Sequence, residues 1–167
     1  MVSDRRVSGA PLRLVAASLG SAAALRLVDE VQAEYVLLYG APDEAPLDEH
    51  ELDPPAGAFY LGYADQEPVA MGGWRVRSDV RPWGVDRVAE VKRMYVAPPA
   101  RRRGYARTVL THLETTARRA GIEALVLETG TQQPAAIAMY TSAGYEPVDG
   151  FGHYTWSPLS RCYGRRL

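Results

Sequence analysis

The sequence has little of several residue types that define whole classes of protein. Cys162 is the only cysteine in 167 residues, which excludes an intramolecular disulfide framework and a cluster of cysteine metal ligands. Asparagine is absent, so no N-glycosylation acceptor exists. No apolar stretch approaches the roughly 18 residues that a membrane-spanning helix needs, and no signal-peptide pattern follows the start. We expect a soluble, cytoplasmic protein with no metal site and no membrane partner.

Neither sign of charge dominates, because 19 basic and 20 acidic residues give a formal net charge of −1. This balance argues against a dedicated nucleic-acid-binding protein. Lysine is scarce: Lys92 is the only one beside 18 arginines, a bias typical of a GC-rich bacterial genome. The length and the 47% hydrophobic content fit one globular domain over residues 1–167, with its core at about 11–160.

Hydrophobic periodicity predicts strands alternating with helices. Strands are expected over 11–17, 58–63, 69–77, 86–96 and 122–127, with one or two more in the tail 145–167. Helices are expected from Ser18 or Ser21 to Tyr39, over 104–120 and over 134–143. This order predicts an α/β (α+β) fold with one mixed, mostly antiparallel, twisted sheet of six or seven strands. About four helices are expected to flank the sheet.

The segment 41–57 is rich in acid and proline, with six of the 20 acidic residues and four prolines. We expect a loop there. One interpretation is a solvated loop, and the other is an acidic rim that attracts a cationic substrate.

The segment Val96–Arg107 (VAPPARRRGYAR) places a glycine turn between a strand and a helix. Helix N-termini expose unpaired N–H groups and the positive end of the dipole, so they bind phosphate. Gly104 and Ala106 keep bulky side chains away from those groups. Arg101, Arg102, Arg103 and Arg107 add charge for a pyrophosphate. A solvated basic helix start, or a contact with nucleic acid, is the alternative.

Three motifs together resemble the GCN5-related N-acetyltransferase (GNAT) family. Arg101–Ala106 fits the R-x-x-G-x-A form of its phosphate signature, and Ala89–Val96 (AEVKRMYV) is similar to its fourth strand. Gln132–Tyr145 (QQPAAIAMYTSAGY) is similar to its N-x-x-A-x-x-x-Y-x-x-x-G-F/Y segment, and the strand pair that ends at Met71–Arg75 resembles its central β-meander. The resemblance covers 11–167 and implies the GNAT fold.

The resemblance implies acetyl-CoA as cofactor and transfer of acetyl directly to an amine. A bulge at Met94–Val96 would leave backbone groups, including those of Tyr95, free for the pantetheine amides. The N–H of Met94 would point at the thioester carbonyl, a contribution of roughly 3 kcal/mol. The amides of Arg102–Arg107, Tyr105 among them, would hold the pyrophosphate. Gln133 stands where the family has asparagine and would contact the cofactor.

The family positions also imply two catalytic residues. Tyr140 would protonate the departing thiolate, or else pack its ring on the cofactor. Glu90 would act as the base for the amine, through water. Strand alternation places Glu90, Lys92 and Met94 on one face, so an ion pair with Lys92 is the alternative for Glu90.

The resemblance also implies an acceptor groove opposite the cofactor, between the first helices, the fourth strand and the C-terminal loops. Aromatic residues could hold a cation or an arylalkylamine, whereas Arg93 would favour an acceptor with a carboxylate. The candidates to line the groove are Tyr35, Tyr39, Trp74, Arg93, Tyr145, Phe151, His153 and Tyr154.

The expected partner is a small-molecule primary amine, with no nucleic acid and no membrane. A peptide N-terminus or lysine side chain is the alternative acceptor. A non-catalytic acyl-CoA-binding sensor is the alternative function. A homodimer is left open.

Overall fold

The computed structural model describes residues 10–167. Its strands are β1 (Arg13–Ala16), β2 (Gly57–Ala64), β3 (Glu67–Val76), β4 (Val88–Val96), β5 (Ala124–Gly130), β6 (Glu146–Pro147) and β7 (Ser160–Arg166). Its α-helices are α1 (Ala22–Tyr39), α2 (Tyr105–Arg119) and α3 (Pro134–Ser142). Short 3-10 turns cover Glu49–Leu52, Pro82–Gly84 and Pro98–Ala100.

Local sequence signals explain the limits of α1. The Ser21 side chain accepts from the N–H of Ala24 and caps the start, and Gly40 ends the helix with φ +81°. At 18 residues α1 is the longest of the three helices within 10–167. None of these three is long and apolar enough to cross a membrane.

Residues 10–167 contain three α-helices, one fewer than the approximate number expected. The segment 41–57 forms one 3-10 turn, Glu49–Leu52, and otherwise irregular backbone. Its four prolines lack the N–H group that a helix interior needs, which explains the absence of a further α-helix there.

The expected mixed, mostly antiparallel sheet is confirmed, with seven strands in the order β1-β2-β3-β4-β5-β7-β6. Only the central pair, β4 and β5, is parallel. Their pairing covers three positions and stops at Glu90 opposite Val126. β4 then continues to Val96 and β5 to Gly130 without pairing with each other. A cleft therefore opens in the middle of the sheet.

The two faces of the sheet have separate cores. On one face Val109, Leu110 and Leu113 of α2 are 0–1% exposed and pack with Leu125 and Leu127 of β5. On the other face residues of α1 pack with Phe59, Leu61 and Met71. We call these the α2 face and the α1 face. The cleft between β4 and β5 connects them.

A β-bulge lies in β4 at Arg93 and Met94. Lys92 pairs with Gly73 and Tyr95 with Met71, so β4 has one residue more than β3 over this stretch. Arg93 has φ +58°, a left-handed conformation. The bulge was expected slightly later, at Met94–Val96.

The bulge corrects one expectation from strand alternation. Met94 does not share a face with Glu90 and Lys92. Its sulfur lies near Gly72 together with Val109, on the α2 face. The inserted residue reverses the alternation, so the side chain moves to the opposite side of the sheet.

Candidate active site

The cleft between β4 and β5 has the start of α2 at its mouth. The chain leaves β4 at Val96, passes the prolines of the 3-10 turn 98–100 and enters α2 at Tyr105. Beyond Glu90, one edge of β4 has no neighbouring strand. An extended chain with amide groups, such as pantetheine, can pair with such an edge.

The start of α2 forms an anion cradle. Arg102 and Gly104 have left-handed backbones, with φ +63° and +77°. Within residues 10–167, the amide groups of Gly104, Tyr105, Ala106 and Arg107 donate to no backbone acceptor. A Cβ added to Gly104 would meet nothing within 4 Å, so open space lies in front of these groups. Unpaired amides in this arrangement fit a pyrophosphate.

The four arginines around this turn do not act alike. Arg101 donates from Nε to the Val96 carbonyl at 2.8 Å and from Nη2 to Glu34 at 2.6 Å. Arg107 donates to Ser142 of α3. Arg102 is exposed beside the cradle. The side chains of Arg101 and Arg107 therefore hold the turn against α1 and α3, and the amides supply the cradle.

Tyr105 is buried under the same turn. Its side chain is 6% exposed and its hydroxyl donates to the Ala10 carbonyl at 2.6 Å. Its ring therefore fixes the first turn of α2 to the core, while its amide group faces the cradle.

Tyrosines gather where α1, β5 and α3 meet. The hydroxyl of Tyr39 donates to Gln133 Oε1 at 3.1 Å, and its ring lies against Gly130 at the end of β5. A Cβ on Gly130 would lie 2.0 Å from the Tyr39 oxygen, so only glycine permits this packing. Tyr39, which was predicted to line the acceptor groove, is thus hydrogen-bonded to Gln133, which was predicted to contact the cofactor.

Tyr140 is 6% exposed, and its hydroxyl makes no hydrogen bond within residues 10–167. Burial raises its pKa, as does the nearby Tyr35. Burial also raises the pKa of Tyr35, to about 12, with Asp43 acting in the same direction. Both phenols are therefore protonated at neutral pH, and Tyr140 has a free proton to donate.

One carboxylate of the acidic segment 41–57, that of Asp43, contacts residues of other parts of the chain. Asp43 accepts from the Tyr154 hydroxyl at 2.8 Å and lies 3.7 Å from Nη1 of Arg93. The N–H of Glu44 donates to the Tyr154 oxygen at 2.7 Å. The Nε of Arg93 is buried without a hydrogen-bond partner among the described residues. Two loops and β4 are thus tied together over the α1 face.

Glu90 lies at the base of the cleft in a cluster of cations. It is 3% exposed, and its Oε2 accepts from Nε and Nη2 of Arg75, both at 3.1 Å, and from Nη1 of Arg77. Lys92 lies 3.7 Å from Oε1. These contacts support the ion-pair alternative for Glu90. A role as base stays a prediction.

Sequence reasoning missed one carboxylate, Glu128. The predicted strand stopped at Leu127, but β5 continues to Gly130 and carries Glu128 into the cleft region. One sequence signal was available. Glu128 and Thr129 follow the apolar run directly, and the first polar residues after a strand covered on both faces can still belong to that strand. Glu128 is half-buried, and burial raises its pKa.

The structure does not bring all acceptor candidates together. Trp74 is 3% exposed on the α2 face, where its indole N–H donates to Thr116 at 3.1 Å. Tyr145 is also buried and donates to Glu114. Phe151 packs under Arg77, and the ring of His153 stacks edge-on against Tyr154. Four candidates are in contact on the α1 side. The rings of Tyr35 and Tyr39 lie next to each other. Arg93 and Tyr154 both contact Asp43.

The split sheet, the open start of α2 and the unpaired strand edge are what an acyltransferase that takes its acyl group from coenzyme A requires. The model of the Acetyltransferase (GNAT) family matches residues 24–145, and the chain belongs to this family. The family uses acetyl-CoA or another acyl-CoA, and its members are N-acetyltransferases.

Individual relatives agree with this assignment. The chain is 33% identical over 138 residues to the "IAA acetyltransferase" of Azospirillum brasilense, a match over 83% of this chain and 86% of that protein. A Klebsiella pneumoniae structure described as an acyl-CoA N-acyltransferase is 27% identical with a TM-score of 0.76, over 93% and 97% of the two chains. The PaiA N-acetyltransferase of Thermoplasma acidophilum, solved with coenzyme A, shares the fold at 14% identity and a TM-score of 0.68, over 94% and 99%.

Proposed function

We propose that the protein transfers acetyl from acetyl-CoA to the primary amine of a small molecule. The observation that supports this proposal is the set of contacts by which two loops cover the α1 face. Asp43 links the acidic segment to Tyr154 and to Arg93 of β4, so the acceptor side is bounded by loops tied to each other. A small amine fits such a bounded space better than a protein chain does.

Different residues around the cleft would bind the cofactor, orient its thioester and donate a proton to the leaving group. Acetyl-CoA supplies the acetyl thioester. The amides of Tyr105, Ala106 and Arg107 would bind its pyrophosphate, and the free edge of β4 would orient its pantetheine. Met94 lies in the bulge, where a backbone N–H is released from regular pairing for the thioester oxygen. Tyr140 would donate a proton to the departing sulfur.

A panel of amines tests this function. We expect acetyl-CoA-dependent thiol release with at least one small primary amine, measured with a thiol reagent and by mass spectrometry of the product. Amines with and without a carboxylate should be included, because Arg93 is the cation predicted to line the acceptor groove. Release with peptide N-termini alone would favour the protein acceptor. Tight acetyl-CoA binding without release for any amine or peptide would support the sensor.

The variant Tyr140→Phe tests the proton donor. The ring and its packing are retained, so folding and acetyl-CoA affinity should stay within about twofold of wild type. Turnover should fall about 100-fold, in the range for loss of a general acid. Steady-state kinetics and calorimetry measure the two effects. Unchanged kcat would show that Tyr140 only packs against the cofactor.

A further inference from the structure

Arg93 occupies a strained position at the bulge of β4. Its φ of +58° is a left-handed conformation that costs a non-glycine residue free energy. The bulge turns the Met94 side chain toward the α2 face, whereas the Arg93 side chain lies beside Asp43 of the acidic segment. The same part of β4 has the free edge to which the proposed function assigns the pantetheine arm. Arg93 is therefore a cation held close to the place where the acyl group is transferred.

The Arg93 guanidinium is largely buried but is not hydrogen-bonded. The side chain is 13% exposed, and Nε is buried without a partner among the described residues. Asp43 Oδ2 lies 3.7 Å from Nη1, which is within ion-pair distance but too long for a hydrogen bond. No other carboxylate of residues 10–167 lies within 4 Å of this guanidinium. Its N–H groups are thus available for a carboxylate that accepts two parallel hydrogen bonds.

Asp43 is held in place by contacts that do not involve Arg93. Its Oδ1 accepts from the Tyr154 hydroxyl at 2.8 Å and from the Ala45 N–H at 3.0 Å. Its backbone N–H donates to Gln32 Oε1 at 2.7 Å, and its carbonyl accepts from Gln32 Nε2 at 3.2 Å. Because these contacts fix Asp43 on α1, its carboxylate attracts the guanidinium without pairing closely with it. A carboxylate free to reach hydrogen-bond distance would bind Arg93 more strongly.

Tyr35 of α1 adds a second unpaired donor to this group. Burial raises its pKa; Asp43 adds to this increase and Arg93 opposes it, so both charged groups lie near the phenol. The Tyr35 hydroxyl is protonated at neutral pH and makes no hydrogen bond in the part of the chain that the structure describes. A carboxylate can accept from a phenol and from a guanidinium at the same time.

Resting on the proposed function, we propose that Arg93 binds a carboxylate of the acceptor, so that the substrates are small molecules carrying both a primary amine and a carboxylate. The acceptor carboxylate replaces Asp43 as the anion at the guanidinium, and the Tyr35 hydroxyl donates to it as well. An amine without a carboxylate leaves the guanidinium without a hydrogen-bond partner. Sites that lose a buried polar contact in this way discriminate strongly against the analogue that lacks the group.

Matched pairs of acceptors test this proposal. Each pair consists of an aminocarboxylate, such as 3-aminopropanoate, and the amino alcohol of the same chain length, which keeps the amine and loses the charge. We expect wild type to prefer the aminocarboxylate about 30-fold in kcat/KM for the best pair, the range for hydrogen bonds to a charged group. Equal kcat/KM within every pair would overturn the proposal and leave the proposed function in place.

Variants assign the preference to Arg93. Arg93→Gln should lower kcat/KM for the aminocarboxylate about 30-fold, to the level of the amino alcohol, and Arg93→Lys should keep part of the preference. Arg81→Gln makes the same change at an arginine that is 66% exposed and paired with Asp86, and this control should behave as wild type. A preference that survives Arg93→Gln would contradict the assignment.

Asp43→Asn tests the competition between the two carboxylates while leaving Arg93 intact. The amide keeps an oxygen for the Tyr154 hydroxyl but removes the negative charge. We expect KM for the aminocarboxylate to fall several-fold and KM for the amino alcohol to change less, a split that a merely structural role of Asp43 would not produce. A higher KM for the aminocarboxylate would show that Asp43 does not compete with the acceptor.

A second readout does not depend on turnover. In protein carrying 15N-labelled arginine, the Nε–H resonance missing from Arg93→Gln identifies Arg93. In protein saturated with coenzyme A, we expect this resonance to shift with the aminocarboxylate and to stay in place with the amino alcohol. No shift with any aminocarboxylate would overturn the proposal even where amines are acetylated. If wild type acetylates no small amine at all, the proposed function fails, and the assignment of an acceptor carboxylate to Arg93 fails with it.

Discussion

Replacing Gly104 by valine should weaken acetyl-CoA binding about 1000-fold. Two causes act together. With φ +77°, residue 104 has a backbone conformation that a β-branched side chain strongly disfavours. A side chain there would also occupy the open space in front of the α2 amides. Loss of two charge-assisted hydrogen bonds costs about 4 kcal/mol, which corresponds to this change in Kd.

Gly84→Val is the matched control for this experiment. Gly84 has φ +74° and also has nothing within 4 Å of its Cβ position, but it lies in the 3-10 turn 82–84 before β4. The same substitution therefore introduces comparable backbone strain away from the cradle. Calorimetry should show wild-type affinity for Gly84→Val. Equal losses in both variants would mean that strain alone, and no pyrophosphate contact at Gly104, explains the effect.

Local sequence signals predicted most of the elements. The alternation of β2 and β3, the serine before α1 and the glycines after α1 and before α2 are short-range features, and the structure confirms the elements they predict. The order of elements was sufficient for a mixed, mostly antiparallel sheet. The turn and helix start at Gly104 were predictable for the same reason, because a strand, a turn and a helix N-terminus follow one another directly in the sequence.

Contacts between distant segments were not predictable. Alternation alone placed Met94 beside Lys92, because a one-residue bulge leaves no mark in hydrophobic periodicity. Glu128 was missed because β5 extends past its apolar run, and its place beyond the paired part of the sheet depends on where β4 stops pairing. The partners of Glu90 come from β3, and only the register of β3 against β4 brings Arg75 opposite it.

Glu90→Gln should destabilise the fold by about 3 kcal/mol, because Lys92 loses its carboxylate partner while Arg75 and Arg77 keep only Glu51 and Asp79. The side chains of Arg75, Arg77 and Lys92 are only 12–14% exposed, so water cannot replace the lost carboxylate. For a domain of this size we expect Tm to fall by roughly 10 °C. Urea unfolding and calorimetry measure the change.

Glu114→Gln separates this effect from the loss of any buried carboxylate. Glu114 is 7% exposed but faces one cation, Arg165, whose side chain is 36% exposed. Its replacement should cost clearly less, because solvent can compensate Arg165. Adding Lys92→Met to Glu90→Gln should restore part of the lost stability, since Lys92, unlike Arg75 and Arg77, has no second carboxylate within 4 Å among residues 10–167. Purely additive losses in this double variant would mean that the cluster is not electrostatically coupled. Glu90 would then be free for a role in catalysis rather than committed to neutralising the base of the cleft.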